Sequence, residues 1–179
     1  MLWKKISSKY VHENSWYKVR SDEVVRPDGS PGIYNVVETR GAVYIIALDD
    51  KLRFPLVKQS RYTTGIESYE IPAGGIDNED SLAAAKRELK EEVGMTADNW
   101  TKLNALQASN GISSAMTDIY LATNLHTGIA SIQPDEEITD IKKVSFAEAN
   151  AMILAGDISC AQSIAAITTA SLRVDKSVK

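Results

Sequence analysis

The sequence has little cysteine and histidine, and this scarcity excludes several kinds of site. Cys160 is the only cysteine among 179 residues, so the chain can form no internal disulfide bond. The two histidines, His12 and His126, are far apart in the sequence and share no ligand spacing with a cysteine, which argues against a zinc site. The neighbours of Cys160, ISCAQSIAA, indicate a helix with a buried face, so we expect an inert core thiol.

Long apolar runs and an excess of positive charge are also missing. The N-terminal stretch MLWKKISSKY lacks the apolar core of a signal peptide, and no apolar run is long enough to span a membrane, so we expect a cytoplasmic protein without a membrane partner. The net charge of −4 argues against a nucleic-acid partner, which usually requires a basic patch. A phosphorylated small molecule can still bind an acidic protein if a divalent cation lies between them.

The length and composition are those of a globular protein. Apolar residues make up 44% of the chain and charged residues 25%. A chain of 179 residues fits one domain with a small extension, and it can bury a core without disulfides or a structural metal. We expect an N-terminal β extension over residues 1–40, which packs on or dimerises a domain formed by residues 41–179.

The pattern of residues indicates strands in the first half of the chain. WYKVRSDEVV and IYNVVETR are rich in β-branched and aromatic residues, and the turn-forming RPDGSPG between them predicts a hairpin. AVYIIALDD is apolar on both faces, as in a central strand, and KLRFPLVKQSRY follows it at hairpin distance. A further short strand ends at Pro72.

The residue pattern in the second half of the chain predicts further strands and three helices. A helix is expected from Asp80 until Gly94, which occupies the position of a C-terminal cap. WTKLNALQAS, MTDIYLATNL and ITDIKKVSF read as strands, and residues 146–173 as two amphipathic helices interrupted at Gly156. Strands with an embedded helix and helices at the end predict an α+β layered fold.

The embedded helix carries a dense block of charge, AAAKRELKEEVG. On a helical wheel Glu88, Glu91 and Glu92 share one face, and Arg87 lies four residues before Glu91 and can pair with it. An apolar stripe lies about 120° from this face and consists of Leu82, Leu89 and Val93.

Two interpretations of this acidic face are open. A short glutamate-rich run is usually a solvated surface. Like-charged carboxylates at these spacings, however, destabilise a helix unless they bind something, and the helix follows a tight glycine loop that ends in another acid, Glu79. Hard oxygen ligands gathered at one point suit Mg²⁺ or Mn²⁺.

Residues 72–95, PAGGIDNEDSLAAAKRELKEEVGM, resemble the Nudix box, Gly-x5-Glu-x7-Arg-Glu-U-x-Glu-Glu-x-Gly-U, in which U is aliphatic. The part of the motif from Glu79 to Met95 matches at the family spacing, whereas four residues instead of five separate Gly74 from Glu79. The order of VKQSRY, YEIPAGGID and DIYLA across roughly residues 40 to 170 is similar to ADP-ribose-type Nudix pyrophosphatases. The loop ASNGIS lacks the proline that members acting on ADP-ribose often carry.

This resemblance implies a fold and an activity. The fold would be a Nudix-like α/β/α sandwich with a mixed sheet, plus a small N-terminal β-hairpin. The activity would be metal-dependent hydrolysis of the diphosphate bond in a nucleoside diphosphate linked to another group, with ADP-ribose cleaved to AMP and ribose 5-phosphate. Alternatives are another nucleotide sugar, a nucleoside triphosphate, or a non-catalytic module that senses a nucleotide ligand.

The resemblance also implies residue roles around the cation, which would be Mg²⁺, with Mn²⁺ as an alternative. Glu88, Glu92 and the carbonyl of Ala73 would be its ligands. Arg87 would orient the glutamates, and Glu91 would be a ligand or would handle the attacking water.

Further roles concern the proton and the substrate. The acidic loop PDEEI offers Asp135, Glu136 and Glu137 as general bases, of which we select Glu136; a solvated turn is the alternative. Arg61 matches an arginine that contacts substrate in similar enzymes, with a plain surface arginine as the alternative. Glu70 lies just before the box, and we assign it to substrate binding as well.

The aromatic residues of the N-terminal hairpin complete the expected site. Trp16, Tyr17 and Tyr34 could stack an adenine, within one subunit or across the interface of a dimer, although packing in the interior is the alternative for each. The apolar strand surface of residues 16–39 exceeds what one domain needs, so we expect a homodimer.

Overall fold

The computed structural model describes residues 2–132 and 137–177, without the side chains of residues 175–177. The chain divides into two units. The first unit comprises residues 1–41 and 107–116, and the second comprises residues 42–106 and 117–179.

An antiparallel sheet of three strands, in the order β1-β2-β3, builds the first unit. Its strands are β1 (Lys4–Glu13), β2 (Tyr17–Val25) and β3 (Pro31–Thr39). The expected hairpin is confirmed, because β2 and β3 pair from Tyr17 with Thr39 through to Val25 with Pro31. Strand β1 precedes this hairpin within the expected β extension, although no strand was assigned to it from the sequence, and all ten residues of β1 are exposed.

A polar network joins the three strands of this sheet. The Nε atom of Arg20 on β2 donates to Asp22 Oδ1 at 2.8 Å, and the same guanidinium pairs with Glu38 on β3. From β1, the Ser8 hydroxyl donates to Asp22 at 2.7 Å and the Tyr10 hydroxyl to Glu38 at 3.0 Å. Cross-strand pairs of this kind stabilise a sheet of which one strand, β1, is exposed along its whole length.

The second unit contains the remaining elements. Its strands are β4 (Ala42–Ala47), β5 (Arg53–Arg61), β6 (Ile66–Glu70), β7 (Ala73–Gly75), β8 (Met95–Gln107), β9 (Met116–Thr127) and β10 (Ile138–Ser145); Gln107 of β8 and Met116 of β9 belong to the first unit. Its helices are α1 (Ser81–Val93), α2 (Phe146–Ala155) and α3 (Ala161–Ser177).

These strands form two sheets, in the orders β7-β4-β9-β8 and β10-β5-β6. Strand β4 is parallel to β9 and antiparallel to β7, so its sheet is mixed. The prediction that β4 and β5 form a hairpin is wrong. Although Asp49 N–H donates to Arg53 O in the connecting turn, β4 pairs with β7 and β9, whereas β5 pairs with β6 and β10.

The core lies on both faces of β4. Val43 and Ile45 face a cluster that includes Leu89 of α1, whereas Tyr44 and Ile46 face a cluster with α3. Each residue of β4 after Ala42 is buried, which confirms the central strand expected from its continuous apolar run. Helices therefore cover a mixed sheet on two sides, and the α+β layered fold expected from the sequence is confirmed.

The predicted helix boundaries are confirmed by their caps. The Asp80 side chain accepts from the backbone N–H groups of Leu82 and Ala83, and α1 ends at Gly94 with φ 66°. Gly156, with φ 84°, ends α2 in the same way. In the part of the chain that the structure describes, no helix combines the length and apolarity needed to cross a membrane.

Candidate active site

The acidic face of α1 is directed into the protein. Glu88 is 6% exposed and Glu92 is 2% exposed, while Leu89 and Val93 on the neighbouring stripe join the core. Carboxylates are almost never buried without partners, because desolvation of a charge is costly. Of the two interpretations of this face, the solvated surface is wrong for Glu88 and Glu92.

Arg87 links the carboxylates around this face. Its Nε donates to Glu79 at 2.9 Å, and its Nη1 donates to Glu88 at 2.7 Å and to Glu91 at 2.9 Å. Burial lowers the pKa of the guanidinium, but the hydrogen bonds to Glu79 and Glu91 and the charge of Glu88 outweigh it and raise the pKa overall. Arg87 thus binds three carboxylates of the motif at once, those of Glu79, Glu88 and Glu91. Glu79 is among them although the glycine loop is one residue short.

The glycine loop lies directly against two of these carboxylates. The backbone N–H of Ala73 donates to Glu92 Oε2 at 3.1 Å. A β-carbon on Gly74 would overlap the Glu88 carboxylate, so only glycine permits this approach. Arg87 Nη2 also donates to the Gly75 carbonyl at 3.2 Å. The backbone of residues 73–75 and the carboxylates of Glu88 and Glu92 on α1 therefore lie next to each other.

A buried serine binds the backbone just before this loop. Ser163 on α3 accepts a hydrogen bond from Ile71 N–H at 3.2 Å, and both residues are fully buried. Sequence reasoning missed Ser163, because 92 positions separate the two residues and no local pattern marks the contact.

A cavity of about 400 Å³ lies beside the same stretch of backbone. Arg61 donates from Nε and Nη2 to the two oxygens of Glu70, at 3.0 and 2.8 Å. This hydrogen-bonded contact raises the pKa of Arg61 against the effect of burial. The remaining lining residues are mostly hydroxyl-bearing or amide residues: Tyr44, Thr63, Thr64, Ile66, Ser68, Ser159, Cys160 and Gln162.

Cys160 lies at the edge of the core, where it is less buried than expected. It precedes α3 and is only partly buried, and its Sγ lies 3.7 Å from the Tyr44 hydroxyl and 3.6 Å from Gln162 Oε1. Cys160 therefore lines the cavity and also packs against the core cluster that contains Tyr44. The pKa of the Tyr44 hydroxyl is raised, chiefly because this side chain is buried.

The structure brings together only part of the expected site. One cluster contains Ala73, Arg87, Glu88, Glu91 and Glu92. Glu70 lies three positions before Ala73 in the sequence and is paired with Arg61. Glu136 lies outside the described residues, as does Asp135.

The aromatic residues expected to bind adenine belong to the first unit, and Trp16 and Tyr34 are not adjacent there. Trp16 is 78% exposed and precedes Tyr17, which pairs with Thr39, five positions from Tyr34. This separation is roughly 17 Å along a strand. Tyr34 instead packs edge-on against Trp3 and donates its hydroxyl to Gly111 O at 2.8 Å.

The loop that leads towards the acidic segment is attached to the end of α1. Ser131 N–H donates to the Glu91 carbonyl at 2.9 Å, and Gly128 N–H donates to the Gly94 carbonyl. A β-carbon on Gly94 would collide with the backbone of Ala130. Gly94 is therefore required both for its left-handed conformation and for this close approach.

Family models match nearly the whole chain. A model described as "NUDIX domain" matches residues 38–162, and one described as "Nucleoside diphosphate sugar hydrolase N-terminal domain" matches residues 3–37. The first of these covers more than half of the chain and includes every residue of the cluster around Arg87.

Similar proteins come from several bacteria. An ADP-ribose pyrophosphatase of Mycobacterium tuberculosis is 37% identical over 156 residues, which cover 86% of this chain and 75% of that protein. An ADP-ribose pyrophosphatase of Bacillus subtilis is 27% identical over 172 residues, which cover 95% of this chain and 93% of that protein. A crystal structure of an ADP compounds hydrolase superposes with a TM-score of 0.85 at 22% identity, covering 99% of this chain and 96% of that one.

Proposed function

The chain belongs to the Nudix hydrolase family, in its ADP-ribose pyrophosphatase-like branch, and from this premise we propose that it cleaves ADP-ribose to AMP and ribose 5-phosphate with the help of Mg²⁺. As a Nudix pyrophosphatase it hydrolyses nucleoside diphosphate derivatives. The observation that carries the finer proposal is the pair of buried carboxylates, Glu88 and Glu92, held against the Ala73–Gly75 loop.

The residues at this place fit a divalent cation of the Mg²⁺ type. Among residues 2–132 and 137–177, no three acidic, histidine or cysteine side chains form a preassembled metal cluster. Mg²⁺ does not need one, because it usually binds through one or two carboxylates and completes its shell with water and substrate phosphates. Glu88, Glu92 and the Ala73 carbonyl would supply hard oxygen ligands, and Mn²⁺ would accept the same set.

A bound divalent cation would neutralise the diphosphate and lower the pKa of a water molecule. The side chains of the protein have separate tasks. Arg87 holds the carboxylates of Glu79, Glu88 and Glu91 in fixed positions and remains protonated. Glu91, which is partly exposed, would bind the cation or orient the attacking water, and Glu136 is our candidate for the base that takes the proton.

The cavity beside Glu70 supports a substrate with a sugar on one side of the diphosphate. Its two charged residues, Arg61 and Glu70, are paired with each other, and hydroxyl and amide groups line much of the rest. Glu70 lies three positions from Ala73, which is a reach of at most about 11 Å. Such a cavity suits an uncharged, hydroxyl-bearing group better than the additional phosphate of a triphosphate. Groups bound away from the scissile bond help to position it.

A panel of substrates tests this proposal. We expect kcat/KM with Mg²⁺ to be higher for ADP-ribose than for UDP- or GDP-sugars and for nucleoside triphosphates, with AMP and ribose 5-phosphate as the products. Metal-free protein and Ca²⁺ serve as controls. A triphosphate that exceeds ADP-ribose by tenfold or more would contradict the proposed substrate and leave the hydrolase assignment intact.

Another nucleotide sugar is the second candidate. It is favoured by the match of residues 3–37 to a model described as the N-terminal domain of nucleoside diphosphate sugar hydrolases. The same panel separates the two candidates, because the preferred sugar would then exceed ADP-ribose in kcat/KM while triphosphates remain poor.

A further inference from the structure

The backbone passes from one sheet to the other between β6 and β7. The last pair of the β5–β6 ladder is Val57 with Glu70, and the first pair of the β4–β7 ladder involves Ala73. Ile71 and Pro72 therefore form a two-residue crossing that belongs to neither ladder. Buried backbone N–H groups outside a ladder need other acceptors, because an unpaired buried donor is costly.

Side chains from two different helices accept hydrogen bonds from the backbone, one within this crossing and one at the residue that follows it. Ser163 on α3 accepts from Ile71 N–H at 3.2 Å, and Glu92 on α1 accepts from Ala73 N–H at 3.1 Å. Pro72 has no N–H, and its carbonyl accepts from Ile45 N–H at 2.9 Å. The crossing is therefore held on one side by α3 and on the other by α1.

Both ends of the crossing carry groups of the proposed site. Glu70 precedes Ile71 and is held by Arg61, and Ala73 follows Pro72 and would offer its carbonyl to the cation. Ser163 and Ile71 are fully buried, so water cannot readily replace the serine hydroxyl. Without that hydroxyl, the Ile71 N–H must shift towards another acceptor, and the short chain on either side moves with it.

From these contacts we infer that Ser163 is a positioning residue, which sets the place of the Ala73 carbonyl relative to Glu92 by fixing the crossing from the opposite side. The inference rests on the proposed cation site. Groups that hold metal ligands in position typically contribute about 10–100-fold to metal affinity or activity. Ser163 does not touch the substrate in this role, so its loss should lower kcat and cation affinity while the KM for the nucleotide changes little.

The experiment compares S163A and S163T with a control on the same helix. The control is T169V, because the Thr169 hydroxyl donates only within α3, to the Ala165 carbonyl at 2.7 Å. Binding of Mn²⁺ to the substrate-free protein is measured by electron paramagnetic resonance, together with kcat and KM for ADP-ribose and the melting temperature. If S163A does not fold, S163C carries the same test, because a thiol accepts a hydrogen bond only weakly.

We expect S163A to bind Mn²⁺ about tenfold more weakly, with a similar loss in kcat. S163T should recover both, and T169V should match the wild type. Wild-type Mn²⁺ affinity in S163A would overturn the inference even if the melting temperature falls, and so would an equal loss in T169V. A wild type that binds Mn²⁺ but leaves ADP-ribose intact would contradict only the proposed substrate. A wild type that binds no Mn²⁺ would overturn the cation site and this inference together.

Discussion

The carboxylate of Glu88 fills the space that a side chain on Gly74 would need. These two residues belong to different elements, since Gly74 lies in β7 and Glu88 in α1. The contact brings a buried carboxylate up to the backbone of β7, and it is possible because Gly74 has no β-carbon. Gly75, the next residue, has no such neighbour, because its nearest atom would be an Asp77 oxygen at 4.0 Å.

We predict that Gly74→Ala lowers kcat by about tenfold or more, because the new methyl group displaces a carboxylate that would bind the cation. Gly74 does not adopt a left-handed conformation, so the backbone itself tolerates alanine. Gly75→Ala is the matched control and should retain activity near that of the wild type. Steady-state kinetics and melting temperatures of both variants check this, and equal activities in the two would contradict the proposed role of the contact.

Glu92→Gln should lower kcat by orders of magnitude and leave the fold intact, since it removes the charge of a cation ligand. The amide oxygen can still accept from Ala73 N–H, and fewer like charges on α1 should leave the metal-free protein equally or slightly more stable. Glu67→Gln, which alters a surface pair with Lys58, serves as the control. An unfolded E92Q protein, or one with nearly full activity in Mg²⁺, would show that Glu92 is structural.

The stability of the first unit should depend on the ionisation of Asp22. Hydrogen bonds from Arg20 and from the Ser8 hydroxyl lower the pKa of this carboxyl below its ordinary value. A depressed pKa in the folded state stabilises the protein above the unfolded pKa of about 3.9, and this contribution disappears as the pH falls through the folded pKa. We expect D22N to be less stable than the wild type near pH 6 and to approach it as the pH falls through the lowered pKa of Asp22, as measured by urea midpoints. If the urea midpoints of D22N and the wild type change with pH in parallel, the Asp22 carboxylate does not stabilise the first unit in this way.

A homodimer is expected from the apolar surface of the first unit. Large apolar side chains remain exposed there, and contiguous exposed apolar surface often marks an interface; they are Leu2, Trp3, Ile6, Tyr10, Val11, Trp16 and Ile33. Light scattering at micromolar concentration should give twice the mass of the chain. Ile6→Glu combined with Val11→Glu should shift this mass towards the monomer, whereas Ile141→Glu, at an exposed position of β10, should not. A monomeric wild type would contradict the expectation.

Features that depend on nearby residues were predictable from the sequence. Helix α1 carries its signals within fifteen positions, from the Asp80 cap through the apolar stripe to Gly94. The pairing of Arg87 with Glu91 follows from a spacing of one helical turn. The hairpin of β2 and β3 was likewise indicated by the turn residues between two β-branched runs.

Features that depend on distant residues were decided by the tertiary structure. The sequence of β4 and β5 could not indicate that they enter different sheets, because pairing partners are chosen by contacts far along the chain. Nor could it choose between a solvated and a buried acidic face, since the wheel places Glu88 and Glu92 on one side without showing what packs there.

The sequence by itself therefore determined the local elements and the chemical groups of the candidate site. Only the tertiary structure placed Glu88 against Gly74, Ser163 against Ile71 and Tyr44 beside Cys160. Hydrogen bonds and close packing between residues far apart in the chain form only when the core has assembled around them, so no periodicity or spacing in the sequence records them.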